Sequence, residues 1–143
     1  MALFRKRGTD ETLPKEDRGF GSFDQYRYDL RPRNRRVTIV LANSDPYQDE
    51  LRTIAESGEA HIETAISPRT VQQEGIDAPI EVRLFTGRRV SGVVGNIPRG
   101  LESIVDETLR RLDDKGEKAR IPARIIDQKG RYRVELLIGQ LAV

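Results

Sequence analysis

The sequence contains no cysteine, no tryptophan and a single histidine, and only 6% of its 143 residues are aromatic. Without cysteine it can form no disulfide, thiolate zinc site, iron–sulfur cluster or cysteine nucleophile. No apolar run approaches the roughly 20 residues needed to span a bilayer. The opening stretch, Met1–Arg7, is basic but no apolar segment follows it, so a secretory signal is not expected. A soluble cytoplasmic protein with no membrane partner is the expectation. The length suits one ordinary domain.

Catalytic chemistry finds little to work with. A Ser/His/Asp set would require His61, which sits opposite Ile62 and Ile66 and beside Glu59 and Glu63. That is the position of a solvated strand histidine. No Gly-x-Ser-x-Gly elbow is present to supply a nucleophile. The carboxylate pairs Asp49-Glu50 and Asp113-Asp114 are adjacent in sequence and so point to different faces of a helix. No calcium-loop spacing, P-loop or dinucleotide-binding glycine pattern occurs. The chain is therefore expected not to be an enzyme, and to hold no metal and no cofactor.

Charge is what the sequence has in quantity. Charged residues make up 34%, yet the formal net charge is only +2. Residues 1–36 carry ten Lys/Arg against six Asp/Glu, leaving fifteen against seventeen for residues 37–143. Residues 1–26 balance at five against five, so the +4 surplus lies in residues 27–36, five Arg against Asp29. Five of the eight Phe and Tyr residues also precede residue 37: Phe4, Phe20, Phe23, Tyr26 and Tyr28.

Hydrophobic patterning divides the chain at the same place. Residues 1–34 show no sustained period and are interrupted by Pro14 and Pro32, so residues 1–36 are expected to be a disordered arm that cannot offset its ordering entropy, ahead of a β-rich domain over residues 37–143. From Val37 the pattern predicts strands at 37–42, 59–67, 80–85, 90–97, 119–126 and 132–138. Helices are expected after Asp45-Pro46, ending at Gly58, and from Leu101 to Gly116. The order is β-α-β-β-β-α-β-β. Short alternating strands with only two helices favour an α+β fold, a small barrel-like curved antiparallel sheet of about six strands carrying two packed helices. Gly87, Gly92, Gly95 and Gly100 are read as a hairpin, a bulge and a strand-to-helix turn. The alternative is an anion held at the start of the second helix with help from Arg99.

The segment Tyr26-Arg27-Tyr28-Asp29-Leu30-Arg31-Pro32-Arg33-Asn34-Arg35-Arg36 interleaves aromatics with arginine. Guanidinium forks pair phosphates and tyrosine rings offer stacking platforms. Nucleic acid is the favoured partner, ahead of docking on a protein and of an inert tail. Arg27, Arg31, Arg33, Arg35 and Arg36 are expected to meet phosphates and Tyr26 and Tyr28 to stack, while Arg88, Arg89 and Arg99 extend the basic path. The competing expectation is an adaptor that docks on a protein partner through residues 20–36, with Phe20, Phe23, Tyr26 and Tyr28 as anchors.

The folded part also resembles a HIRAN domain, particularly the small stand-alone bacterial type. Three stretches carry the likeness: Asp45-Pro-Tyr-Gln-Asp-Glu-Leu51, the run from Ile80 to Arg99 with its Val-Ser-Gly-Val-Val-Gly core, and the closing strand pair. In the stretch Glu74–Val82, Asp77 matches the family's Asp, and Ile76 stands where the family has an aromatic residue. The resemblance implies a barrel-like fold associated with nucleic-acid processing, binding single-stranded DNA ends at a shallow pocket. It places Tyr47, Asp77 and Arg99 near such a pocket.

Overall fold

The computed structural model describes Gln25, Tyr26 and residues 30–141. The elements in chain order are β1 (Ile39–Val40), α1 (Gln48–Glu56), β2 (Ile62–Thr64), α2 (Val71–Gly75), β3 (Glu81–Val82), β4 (Leu84–Thr86), β5 (Arg89–Val90), β6 (Gly95–Asn96), α3 (Glu102–Asp114), β7 (Pro122–Gln128) and β8 (Arg131–Leu136). Single 3-10 turns at Asp45–Tyr47 and Ile138–Leu141 complete them. The fold is α+β, built on an antiparallel six-stranded sheet of order β1-β8-β7-β2-β4-β5, with β3 and β6 forming a separate two-stranded ribbon. β1 and β5 are the two edges, and the sheet is not closed into a barrel.

The longest pairing is the β7–β8 hairpin, in register from Ala123↔Leu136 to Gln128↔Arg131. Its two-residue turn, Lys129-Gly130, has both φ angles positive, 54° and 84°, the geometry whose twist matches paired strands. Asp127 stabilises the turn by accepting from the Gly130 amide at 2.9 Å. α3 buries Ile104, Val105, Leu109 and Leu112, the helical spacing visible in the sequence. Of these, Ile104, Val105 and Leu109 join Ile39, Leu41, Leu84, Val94, Ile97, Ile121, Val134 and Leu136 in a single core.

Several expected elements differ. Two runs expected as single strands are broken: 80–85 divides into β3 and β4, which belong to different sheets, and within 90–97 β5 pairs with β4, whereas β6 crosses to pair with β3. Gly95 allows that crossing, because a Cβ there would lie 2.8 Å from Ser44 Oγ and 2.9 Å from Ala42 O. Asp45 does not cap the first helix; its carboxylate pairs with Arg131 Nε at 2.9 Å, and residues 45–47 form a 3-10 turn instead. α2 was not expected at all, although Thr70 and Gln73 form a reciprocal capping box at its start. No helix among the described residues is long and apolar enough to cross a membrane.

The packed unit also begins earlier than residue 37. Tyr26 is only 5% exposed and belongs to the core, its backbone bridged to Pro32. Arg33 donates its amide to Gln25 O at 3.0 Å, and Val37 donates to Asn34 O at 3.3 Å. Residues 30–36, expected to belong to a disordered arm, are thus a loop folded onto the domain. Tyr26, expected to stack on bases, is spent on packing because its ring fills apolar space. Its hydroxyl is buried without a partner, and burial pushes its pKa up to about 12.

Two consequences are measurable by denaturant titration. Tyr26→Ala should cost about 3–5 kcal/mol, as for other large-to-small core changes, whereas Tyr26→Phe, which removes only an unsatisfied hydroxyl, should be neutral or stabilising. Because the folded-state pKa is raised above the usual 10, the proton is held more tightly when folded. The stability linked to it is complete below pH 10 and is lost as pH rises through 12. Tyr26→Phe should remove that component of the alkaline decline.

Candidate functional site

The arginines sort into two populations, and the sorting locates the candidate site. The first population is consumed by the fold. Arg69 is 7% exposed; its amide and Nε donate to the two oxygens of Asp106, both at 2.8 Å, and Nη1 donates to Ala78 O at 2.8 Å. Burial disfavours this guanidinium's charge, but the hydrogen bond and field of Asp106 outweigh it and its pKa is raised. Arg110 donates to Arg69 O at 2.8 Å and meets Glu74 at 3.2 Å. Arg99 donates to Asp77 O at 2.6 Å and Oδ2 at 2.9 Å, and its Nη1 lies 2.9 Å from Glu102. Three arginines and four carboxylates therefore fasten the 69–78 segment, including α2, to α3.

That network corrects two expectations. Asp77 and Arg99 do come together, as a pocket would require, but they neutralise one another. The start of the second helix is not an open anion site either: Glu102 Oε1 accepts the Gly100 amide at 2.8 Å, so the chain supplies its own carboxylate. Tyr47 is half-buried in the 3-10 turn ahead of α1, with no hydrogen bond to Asp77 or Arg99 among the described residues. The next residue, Gln48, ties α1 to β8 by exchanging hydrogen bonds with the Tyr132 backbone at 2.8 and 2.9 Å.

The second population faces solvent. Arg31, Arg33, Arg35 and Arg36 are all exposed on the folded loop. Arg33, Arg35 and Arg36 form no ion pair with any described carboxylate. Arg33 and Arg36, with Gln25, Asn34 and Val37, line an open hollow of about 290 Å³. The loop's shape is fixed from within by Asn34, whose Oδ1 accepts the Arg36 amide at 2.8 Å, and from behind by the closing 3-10 turn. There Gly139 donates to Val37 O at 2.8 Å.

Arg88 and Arg89 are exposed at the β4–β5 turn and on β5. They occupy the sheet edge opposite β1, whereas the 31–36 loop leads into β1. Of the basic path expected from Arg36 through Arg88, Arg89 and Arg99, the strand order places the loop beside β1 and Arg88 and Arg89 by β5, and Arg99 is held by Asp77 and Glu102. Arg27 and Tyr28 lie outside the described residues. His61 is exposed and pairs with Glu63 at 3.2 Å.

Sequence reasoning missed Arg69, Asp106 and Glu102. Glu102 and Asp106 are spaced four apart beside the apolar stripe of α3, and both are almost fully buried. A signal was present in the capping box of α2, which marks a helix needing something to hold it against the domain. Comparison with protein-family models, curated proteins and solved structures finds no match to this chain.

Removing one partner of the buried pair leaves the other charge unpaired. Asp106→Ala should therefore destabilise the fold by about 3–5 kcal/mol. Replacing both groups with apolar residues, Arg69→Met with Asp106→Leu, should restore most of that loss. Chemical denaturation of the two variants checks both statements.

Proposed function

We propose that this chain is a non-catalytic nucleic-acid-binding module whose phosphate-contacting surface is the arginine loop of residues 31–36. The observation that carries this reading is the presence of three exposed guanidiniums, Arg33, Arg35 and Arg36, that pair with no described carboxylate and stand on a backbone already fixed to the domain. Guanidinium forks match phosphate geometry, and each phosphate neutralised releases counterions. A pre-formed loop avoids the ordering cost that a free basic tail meets on binding. The HIRAN resemblance favours the same partner. Arg88 and Arg89 offer a second phosphate contact at the other end of the strand order, and Arg27 and Tyr28 adjoin the loop in sequence.

The competing reading, a protein adaptor anchored by Phe20, Phe23, Tyr26 and Tyr28, is weakened by the structure. Tyr26 is in the core and cannot anchor a partner, and the other three lie outside the described residues.

Binding of labelled single-stranded DNA, duplex DNA and RNA, titrated across salt, tests the proposal. The full chain should bind at low salt. Arg33→Ala/Arg35→Ala/Arg36→Ala should weaken binding to every sequence and reduce the log–log salt slope by about 2–3, at roughly 0.7–0.9 per phosphate contact. Full-strength binding by the triple variant would overturn the assignment of the loop. Absence of binding by the full chain at low salt would overturn the function.

A further inference from the structure

β2 runs on past the point where its two neighbours part. Thr64 is held on one side by Ile121, exchanging hydrogen bonds at 2.9 and 3.0 Å, and on the other by its register with Leu84. Ala65 still donates to Arg83 O at 2.8 Å. Beyond it the chain on one side turns from β4 back into β3, which pairs with β6 instead, and on the other side residues 117–120 precede β7. Residues 65–67 are left between diverging walls. Neither Ile66 nor Ser67 donates its amide to another described residue.

Two open hollows result, sharing Ala65, Ile66 and Ser67. The smaller, about 350 Å³, has a mixed lining: Phe85 and Val90 face each other in register, with Ile66 and Ala119 beside them, while Thr64, Ser67 and Arg120 bring polar groups. Arg120 lies over the Phe85 ring, its guanidinium carbon 3.9 Å from the centroid. One face of that guanidinium is used by Phe85, its Nη1 pairs with Glu63 at 3.4 Å, and the side chain remains 35% exposed. The larger hollow, about 440 Å³, is polar and includes Arg83, Glu81, Ser67 and Asn96. Arg83 is exposed and forms no ion pair with any described carboxylate. Arg69 also lines this hollow but is committed to Asp106.

A planar ring platform in one hollow and an uncommitted guanidinium in the other define a ligand with a flat aromatic part and an anionic part. We propose that this cleft binds a nucleoside monophosphate across residues 65–67. The base stacks on the outer face of the Arg120–Phe85 pair, as rings stack on guanidinium planes and aromatic faces. The phosphate meets Arg83 and the open Ile66 and Ser67 amides. Glu81, the carboxylate in the polar hollow, accepts from the ribose hydroxyls. The combined space falls in the range of small-ligand sites, roughly 300–1,000 Å³. The site is independent of the 31–36 loop, and it involves no chemical step.

Titration of the full chain by NMR with AMP, adenosine, ribose 5-phosphate and a single-stranded oligonucleotide tests this. AMP should shift residues 64–67, 83–85 and 119–120. Adenosine and ribose 5-phosphate should each bind roughly ten-fold or more weakly, since each lacks one half of the recognition. Arg83→Ala should weaken AMP several-fold, toward the affinity of adenosine, and leave adenosine unchanged. Arg120→Ala should weaken both, and Arg120→Lys, which keeps the charge but loses the plane, should weaken both as well. Arg33→Ala/Arg35→Ala/Arg36→Ala should leave AMP binding unchanged while weakening the oligonucleotide, which separates this site from the loop. No shift with millimolar AMP, equal binding of AMP and ribose 5-phosphate, or shifts confined to the oligonucleotide titration would each overturn the proposal.

Discussion

Where Gly139 meets the backbone of residues 34–37, no side chain fits. A Cβ at that position would lie 2.5 Å from Asn34 O and 2.7 Å from both Val37 N and Val37 O. The hydrogen bond from Gly139 to Val37 O closes the contact. Backbone against backbone at this distance fixes the entry to β1 and the exit from β8 together, at one edge of the open sheet. Tyr26 holds the other end of the same loop by its buried ring. Ordering a backbone costs about 1–2 kcal/mol per residue, and here that cost is met during folding. The arginines of the loop are therefore presented rather than recruited.

The same economy of charge runs through the rest of the molecule. A chain with 25 Lys and Arg against 23 Asp and Glu has little positive surface to spare once its ion pairs are made. Arg69, Arg99 and Arg110 hold α2 and its flanking segment to α3. Arg124 pairs with Glu135 across the β7–β8 hairpin at 2.6 Å. The proposed attraction for a polyanion rests on short stretches where exposed arginines follow one another. Residues 31–36 are the densest of these, and the Arg88-Arg89 turn is a smaller one at the opposite edge.

Much of this was legible in the sequence, and the failures share a cause. The apolar stripe of α3 and the alternation in β2, β4 and β8 gave the right element types, because helical and strand periods are local properties. What could not be read locally was what long-range packing decides. Val90–Ile97 looks like one strand, yet the close approach of Gly95 to Ser44 and Ala42 sends its second half to another partner. Residues 30–36 have the composition of a tail, yet Tyr26 and Gly139, more than a hundred residues apart, pin them. Arg99 reads as a free basic residue until Asp77 and Glu102 are brought beside it by the fold. Arg33, Arg35 and Arg36 remained candidates because no described carboxylate pairs with them, which no single-sequence pattern records.

The central claim is that the arginine loop is part of the folded domain before any ligand arrives. Native-state hydrogen exchange of the ligand-free chain tests it most directly, through the amides of Gly139 and Arg33, which donate to Val37 O and Gln25 O. Both should be protected, with Gly139 opening at a free energy comparable to that of the β7–β8 core amides. Exchange of both amides at the rate of an unstructured peptide would contradict the account, since the loop would then be a tail that orders only on binding.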